Sequence, residues 1–415
     1  MSGNKAAPGF IALALLLFVL PLNHVAGLRN TLLVAGFAIS LWQWRRLSVP
    51  SLPIRWPLLA WSACVLASAA WSFDPAFSLR EVKLELLLGL MIFALAYSQS
   101  ATEQRTRLLL RAVALAVIVT AVLAFYRIVI VGVPSYHWDE VNDPWGWQQG
   151  FVTYSTYLVL AFPLLLGLLW QASKMDRLLA AAAVLCALWA GWATQNRMVW
   201  VSLAAVAMVG GGLWYIQAFW RLRWRFAPLM LLGGVMAGLV AVFSQVTENR
   251  PANALAPTAV SGLQAAVQTL EHSERFVIWH YWLSRVPEHL WLGVGWGRDL
   301  PHRVYPKPPE WPVLFFAHAH NVFIDVLLQL GVIGLTLFII LLASAARRFW
   351  QYYRSKDAHL AWLGITGLMV LTAFASKNFT DDMFWRTDAL FFWAALGMLL
   401  GLGERLLLRT TGAHE

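Results

Sequence analysis

An all-α polytopic membrane protein with about twelve transmembrane helices is the fold class this sequence predicts. Three observations carry it. The chain is 60% hydrophobic and only 13% charged, with a mean hydropathy of +0.62, far from a soluble globular average. Its apolar stretches are continuous, of the roughly 20 residues a bilayer requires, and lack the alternation of a barrel strand. Its basic residues are scattered between those stretches, so the net charge of +10 reads as a topology signal and not as a nucleic-acid surface.

Taken in order, the expected spans are Phe10 to Leu22, Thr31 to Trp44, Pro57 to Trp71, Leu84 to Tyr97, Leu108 to Val131, Phe151 to Trp170, Leu178 to Trp192, Val199 to Ile216, Ala227 to Phe243, Val322 to Ala343, His359 to Ala375 and Thr387 to Leu402. Val25-Ala26-Gly27 has the small residues of a signal cleavage site, but the next span follows almost at once, so the first span reads as retained. Residues 1–243 carry spans one to nine, 244–319 a large periplasmic loop, and 320–415 spans ten to twelve, all in one integrated membrane domain.

Orientation follows from Lys and Arg. A cytoplasmic N-terminus puts 18 of the 31 basic residues inside; of the others, six lie in the long loop and only seven in short outer segments. Both termini are then cytoplasmic. Most of the 24 tryptophans fit an aromatic belt at span ends. Cys64 and Cys186 each fall inside an apolar run, which supplies neither a disulfide framework nor a thiolate metal site.

Within the long loop, Glu274 to Val286 places Phe276, Trp279, Trp282, Leu283 and Val286 at helical spacing before Pro287, and is expected to be an amphipathic helix lying on the membrane or on the bundle. Gly293-Val294-Gly295-Trp296-Gly297-Arg298 lacks the strand and helix of a dinucleotide fingerprint and reads as a turn that brings backbone close to something.

The candidate chemistry sits where the chain re-enters the membrane, at Phe315-Phe316-Ala317-His318-Ala319-His320-Asn321. His320 and Asn321 open a helix whose amino end faces outward, which favours anions and the neutral imidazole of a general base. A capping or anchoring histidine is the plain structural reading of the same residue. His318 makes an H-x-H pair, yet no third ligand stands at a characteristic spacing, so neither a metal nor another cofactor is expected. Asp325 pairs most simply with Asn321 at i,i+4. Arg197, Arg80, Lys83, Lys377, Arg386 and Arg275 all fall on the outer face, where guanidinium groups suit a phosphate.

His320-Asn321, nine residues, Gly331, two residues and Gly334 form an H-N-x9-G-x-x-G block. With Arg275 through Trp279 to Pro287, Gly293-Val294-Gly295 and Arg197, it resembles the bacterial O-antigen ligase and polymerase superfamily over roughly Leu178 to Leu342. The resemblance implies a metal-independent, inverting glycosyltransferase of the membrane-embedded C type in the bacterial inner membrane, with its active site facing the periplasm. The implied donor is an undecaprenyl diphosphate-linked glycan. The acceptor is a lipid A-core sugar in the ligase, or a second glycan or a protein in the related polymerases and protein O-oligosaccharyltransferases; the single large loop is more like the ligase. On that footing His320 acts as base and Arg197 and Arg275 hold the diphosphate. Arg80, Lys83, Asn321, His318, Lys377, Asp381 and Arg298 are further candidates to contact diphosphate or glycan, and Asp139, Glu140 and Asp143, or Asp381 or Asp382, are alternatives to His320 as the base. A transporter or lipid flippase would instead call for internal repeats or a charged path through the bundle, and the sequence has neither.

Overall fold

The computed structural model describes residues 8–44, 47–132, 151–169, 173–219, 274–305, 318–379, 384–410 and 412. Among them the regular elements are helical: α1 (Pro8–Val19), α2 (Ala26–Trp42), α3 (Arg55–Ala67), α4 (Pro75–Glu81), a π-helical turn (Val82–Leu87), α5 (Leu88–Gln99), α6 (Glu103–Phe125), α7 (Phe151–Leu169), α8 (Lys174–Ala193), α9 (Arg197–Phe219), α10 (Glu274–Arg285), α11 (Leu300–Val304), α12 (Val322–Tyr353), α13 (Ala358–Asn378) and α14 (Arg386–Thr410). Every expected span except the ninth coincides with a helix; residues 227–243 lie outside the described residues. Several helices start where the sequence signals a start, since Asp74, Thr102, Ser173, Asn321 and Asp357 each accept from a backbone N–H two or three residues on.

Among the described residues six helices, α6 with the π-turn Tyr126–Ile130 after it, α8, α9, α12, α13 and α14, are long and apolar enough to cross a membrane. The chain is a multi-pass membrane protein. The first expected span coincides with α1, whose 12 residues reach about 18 Å against a hydrocarbon core of about 30 Å. It stops short of Pro21, which has no N–H to continue the ladder.

The last helix is the centre of the bundle and not a peripheral span. α14 packs on α5, α7 and α13, and it crosses α5 closely because Gly397 and Gly401 lie on the carbonyls of Phe93 and Tyr97. At the end away from the histidines, the Arg348 guanidinium forks onto Glu404, which also accepts from the Tyr352 hydroxyl. Arg405 there donates to the carbonyls of Tyr97, Ser98 and Gly401, satisfying the last turn of α5.

One interruption shapes the opposite end. α12 breaks at Gly331, where φ is 66° and ψ −169°, about 14 Å below its first residue. Non-helical backbone at that depth persists only if its polar groups find partners, and the Gly-rich turn supplies them. The N–H groups of Val294 and Gly295 donate to Leu328 and Gln329 carbonyls at 3.0 and 2.9 Å, while Val332 and Ile333 donate to Leu290 and Trp291 carbonyls at 2.8 and 3.3 Å. Glycine is required on both sides: a Cβ on Gly331 would stand 2.2 Å from Trp291 carbonyl carbon, and one on Gly293 2.4 Å from Gln329. The backbone that the turn approaches is thus the break in α12.

α10 also forms where the periodicity places it, with one change of face. Ile278 and Trp282 are buried toward α12, whereas Phe276 and Leu283 are exposed. The expected apolar stripe is therefore split between the bundle and the surroundings.

Candidate active site

The turn that carries the histidines is held from four directions. Asn321 caps α12, its Oδ1 accepting from Phe323 and Ile324 at 2.9 and 3.3 Å, and its Nδ2 donates to the Phe379 carbonyl at the end of α13 at 2.9 Å. Asp325 accepts the Ala319 N–H at 2.8 Å, and Trp279 of α10 donates to the Ala319 carbonyl at 2.9 Å. These bonds keep His320 in the left-handed region, at φ 51°, a conformation that costs a non-glycine residue about 1 kcal/mol or more. The result is a compact turn with the His318 and His320 rings 4.0 Å apart.

Two expectations change here. Asp325 binds the loop backbone and not Asn321. The first N–H groups of α12 are occupied by Asn321, so the helix mouth is not an open anion seat, and side-chain cations must supply that role.

His318 is buried. Its Nε2 meets the Arg298 guanidinium, its Nδ1 lies 3.0 Å from the His320 N–H, and Asp325 Oδ2 stands 3.8 Å from the same Nδ1. Arginine and backbone N–H are donors only, and a neutral imidazole has a single acceptor nitrogen, so one of the two contacts is a hydrogen bond at a time and a protonated ring makes neither. His318 is therefore a positioned neighbour, and His320, half-buried beside it, is the candidate proton acceptor.

Arg298 follows directly from the Gly-rich turn, since Gly297 N–H donates to the Gln329 side chain at 2.9 Å and Trp296 N–H to Ser68 at 3.0 Å. From there Arg298 also sits 4.9 Å from the ring centroid of Trp385, and Arg386 sits 4.7 Å from the same ring. Arg386 in turn bonds Glu81 at 3.1 Å and approaches Glu85 at 3.8 Å, and Arg29 donates to Thr387 at 3.3 Å. A chain of contacts through Arg298, Trp385 and Arg386 thus links the end of the α4 helix to the histidines. The π-turn at Val82–Leu87 begins directly after Glu81 and contains Glu85, and such bulges are frequent at functional sites.

Asp388, one turn from Trp385, is only 2% exposed, and neither of its carboxylate oxygens has a hydrogen-bond partner among the described residues. The charges of Lys377 and Arg298 act on it. Lys377 closes α13 and is fully buried. Behind α10, burial pushes the Tyr305 phenol up to about 12, with Glu288 adding to it, so that hydroxyl stays protonated.

The structure thus brings His320, His318, Asn321, Arg298 and Lys377 to one end of the bundle. Arg275 is half-buried on α10, four residues before the Trp279 that holds the histidine turn. Arg197 opens α9 in an exposed position, and Arg80 on α4 and Lys83 on the π-turn are exposed while Glu81 and Glu85 between and beyond them turn inward. No contact among the described residues joins Arg197, Arg80 or Lys83 to the histidines. Asp381, like Asp382, Asp139, Glu140 and Asp143, lies outside the described residues. Asp388, Glu81, Glu85 and Arg29 escaped the sequence reading, although an ionisable residue inside or at the edge of an apolar span is the signal that marks them, and Trp385, which carries no such signal, escaped it as well.

Comparison with known proteins bears on this same region. Residues 181–339 match the O-antigen ligase family, a stretch that runs from α8 into α12 and includes Arg197, Arg275, Arg298 and the histidine turn. An O-antigen ligase of Pseudomonas aeruginosa is 25% identical over 319 residues, covering 75% of this chain and 69% of that protein. Both matches support the O-antigen ligase superfamily, as the H-N-x9-G-x-x-G block implied.

Proposed function

With that likeness as premise, we propose that the chain transfers an O-antigen glycan from undecaprenyl diphosphate to a lipid A-core sugar at the periplasmic face of the inner membrane. The observation that carries this reading is the histidine turn: one imidazole locked by Arg298, a second presented beside it, and buried or half-buried cations around both.

In the proposed step, His320 takes the proton from the acceptor hydroxyl as its oxygen attacks the anomeric carbon of the donor sugar. The glycosidic bond to the diphosphate breaks on the opposite face, the configuration inverts, and the electron pair leaves on the diphosphate. Lys377, Arg275 and Arg298, with Arg197 at the edge, compensate the charge that develops there. A diphosphate is already a good leaving group, so positioning and electrostatics suffice and no metal is invoked. The Arg298 contact fixes His318, which orients the turn without taking the proton.

Purified protein given an undecaprenyl diphosphate glycan and lipid A-core, with or without chelator, tests this reading. Glycosylated lipid A-core in both arms supports it. Product only with a glycan acceptor would indicate a polymerase, loss on chelation would remove the metal-free step, and flux of substrate without a new glycosidic bond would indicate a transporter.

A further inference from the structure

We propose that the fissure between α2, α3 and α5, at the end of the bundle away from the histidines, binds the acyl chains of one anionic phospholipid. α2 packs on α1 and α5 while α3 packs on α12; the two diverge and leave a cavity of about 730 Å³. That is the size of a ligand site, typically ~300–1,000 Å³. Its floor is Leu58, Phe93 and Tyr97, all buried, and its mouth is Trp44 and Leu87, which are 43% and 48% exposed. The Tyr97 hydroxyl already donates to the Ser51 carbonyl at 3.0 Å, and the rest of the deep wall is apolar side chain. Hydrocarbon is the chemistry that fits.

The rim supplies the headgroup preference. Arg55 stands one turn before Leu58 on α3, exposed, with its guanidinium 5.3 Å from the ring of the exposed Trp56. A cation and a tryptophan at a helix end mark the lipid–water interface. Arg107 at the same end faces Asp176 at 3.9 Å, whereas Arg55 has no carboxylate partner among the described residues and is left to draw anionic lipid.

The test uses the full-length protein in detergent, titrated with phosphatidylglycerol or phosphatidylcholine and read by native mass spectrometry. Wild type is expected to retain one phosphatidylglycerol at least tenfold more tightly than phosphatidylcholine. Ala94→Trp, which fills the cavity, lowers that affinity tenfold or more, and Arg55→Gln abolishes the headgroup preference. A diazirine placed on the acyl chain of phosphatidylglycerol labels α5 peptides containing Leu90 and Met91 in the wild type, a readout that needs no variant. Equal retention by Ala94→Trp, equal binding of the two lipids by wild type, absence of that labelling, or preference for a polyprenyl phosphate over phosphatidylglycerol would each overturn the assignment.

Discussion

Asp388 and His320 show what single residues contribute. Asp388 is buried without a hydrogen-bond partner among the described residues, under the charges of Lys377 and Arg298. Asp388→Asn keeps its shape and removes the buried carboxyl group that stands under Lys377 and Arg298. We expect kcat to fall about tenfold with the donor KM unchanged or lower; kcat at the wild-type level would show that the carboxylate has no part in the site. The Arg386 pair with Glu81 is buried on the glutamate side, so Glu81→Gln is expected to cost roughly 3 kcal/mol, within the range for breaking a buried pair, seen as a lower melting temperature in detergent. A melting temperature unchanged by Glu81→Gln would mean that the contact stores no stability. His320 was legible in the sequence because a histidine beside Asn321 at a helix mouth is a local pattern. Asp388 was not, because whether a carboxylate at a span edge is buried depends on neighbours from other helices.

Among the elements, the break in α12 and the turn that fills it are mutually dependent. The sequence placed both glycine groups but not their contact, since glycines are common in membrane helices and their pairing joins residues far apart along the chain. Gly331→Ala meets both an unfavourable φ and a carbonyl carbon at 2.2 Å, and Gly293→Ala is hindered in the same way. Each is expected to destabilise by ~2 kcal/mol or more and, by loosening the path from Gly297 to Arg298, to reduce transfer. Thermal melting in detergent checks the first effect, and melting indistinguishable from wild type would show that the interlock is dispensable. The helical periodicity of α10 was readable, but which apolar side faces α12 was not, because Phe276 and Ile278 are equally apolar and packing alone decides between them.

For the whole molecule, the helices at every expected span but the ninth were legible from hydropathy, while the central place of α14 arises from packing. The orientation makes a direct prediction. In a chain lacking Cys64 and Cys186, a cysteine at exposed Lys83 is expected to react with a membrane-impermeant maleimide in intact cells, and one at exposed Lys356 only after lysis. The reverse pattern would place the histidines in the cytoplasm. The most direct test of the proposed chemistry is in vitro transfer by His320→Ala, with His318→Gln and wild type alongside at matched protein levels. His320→Ala is expected to lose ~10²–10⁴-fold in kcat while still binding the diphosphate donor, and His318→Gln to retain more activity than His320→Ala. Transfer to lipid A-core at the wild-type rate by His320→Ala would contradict its assignment as the base.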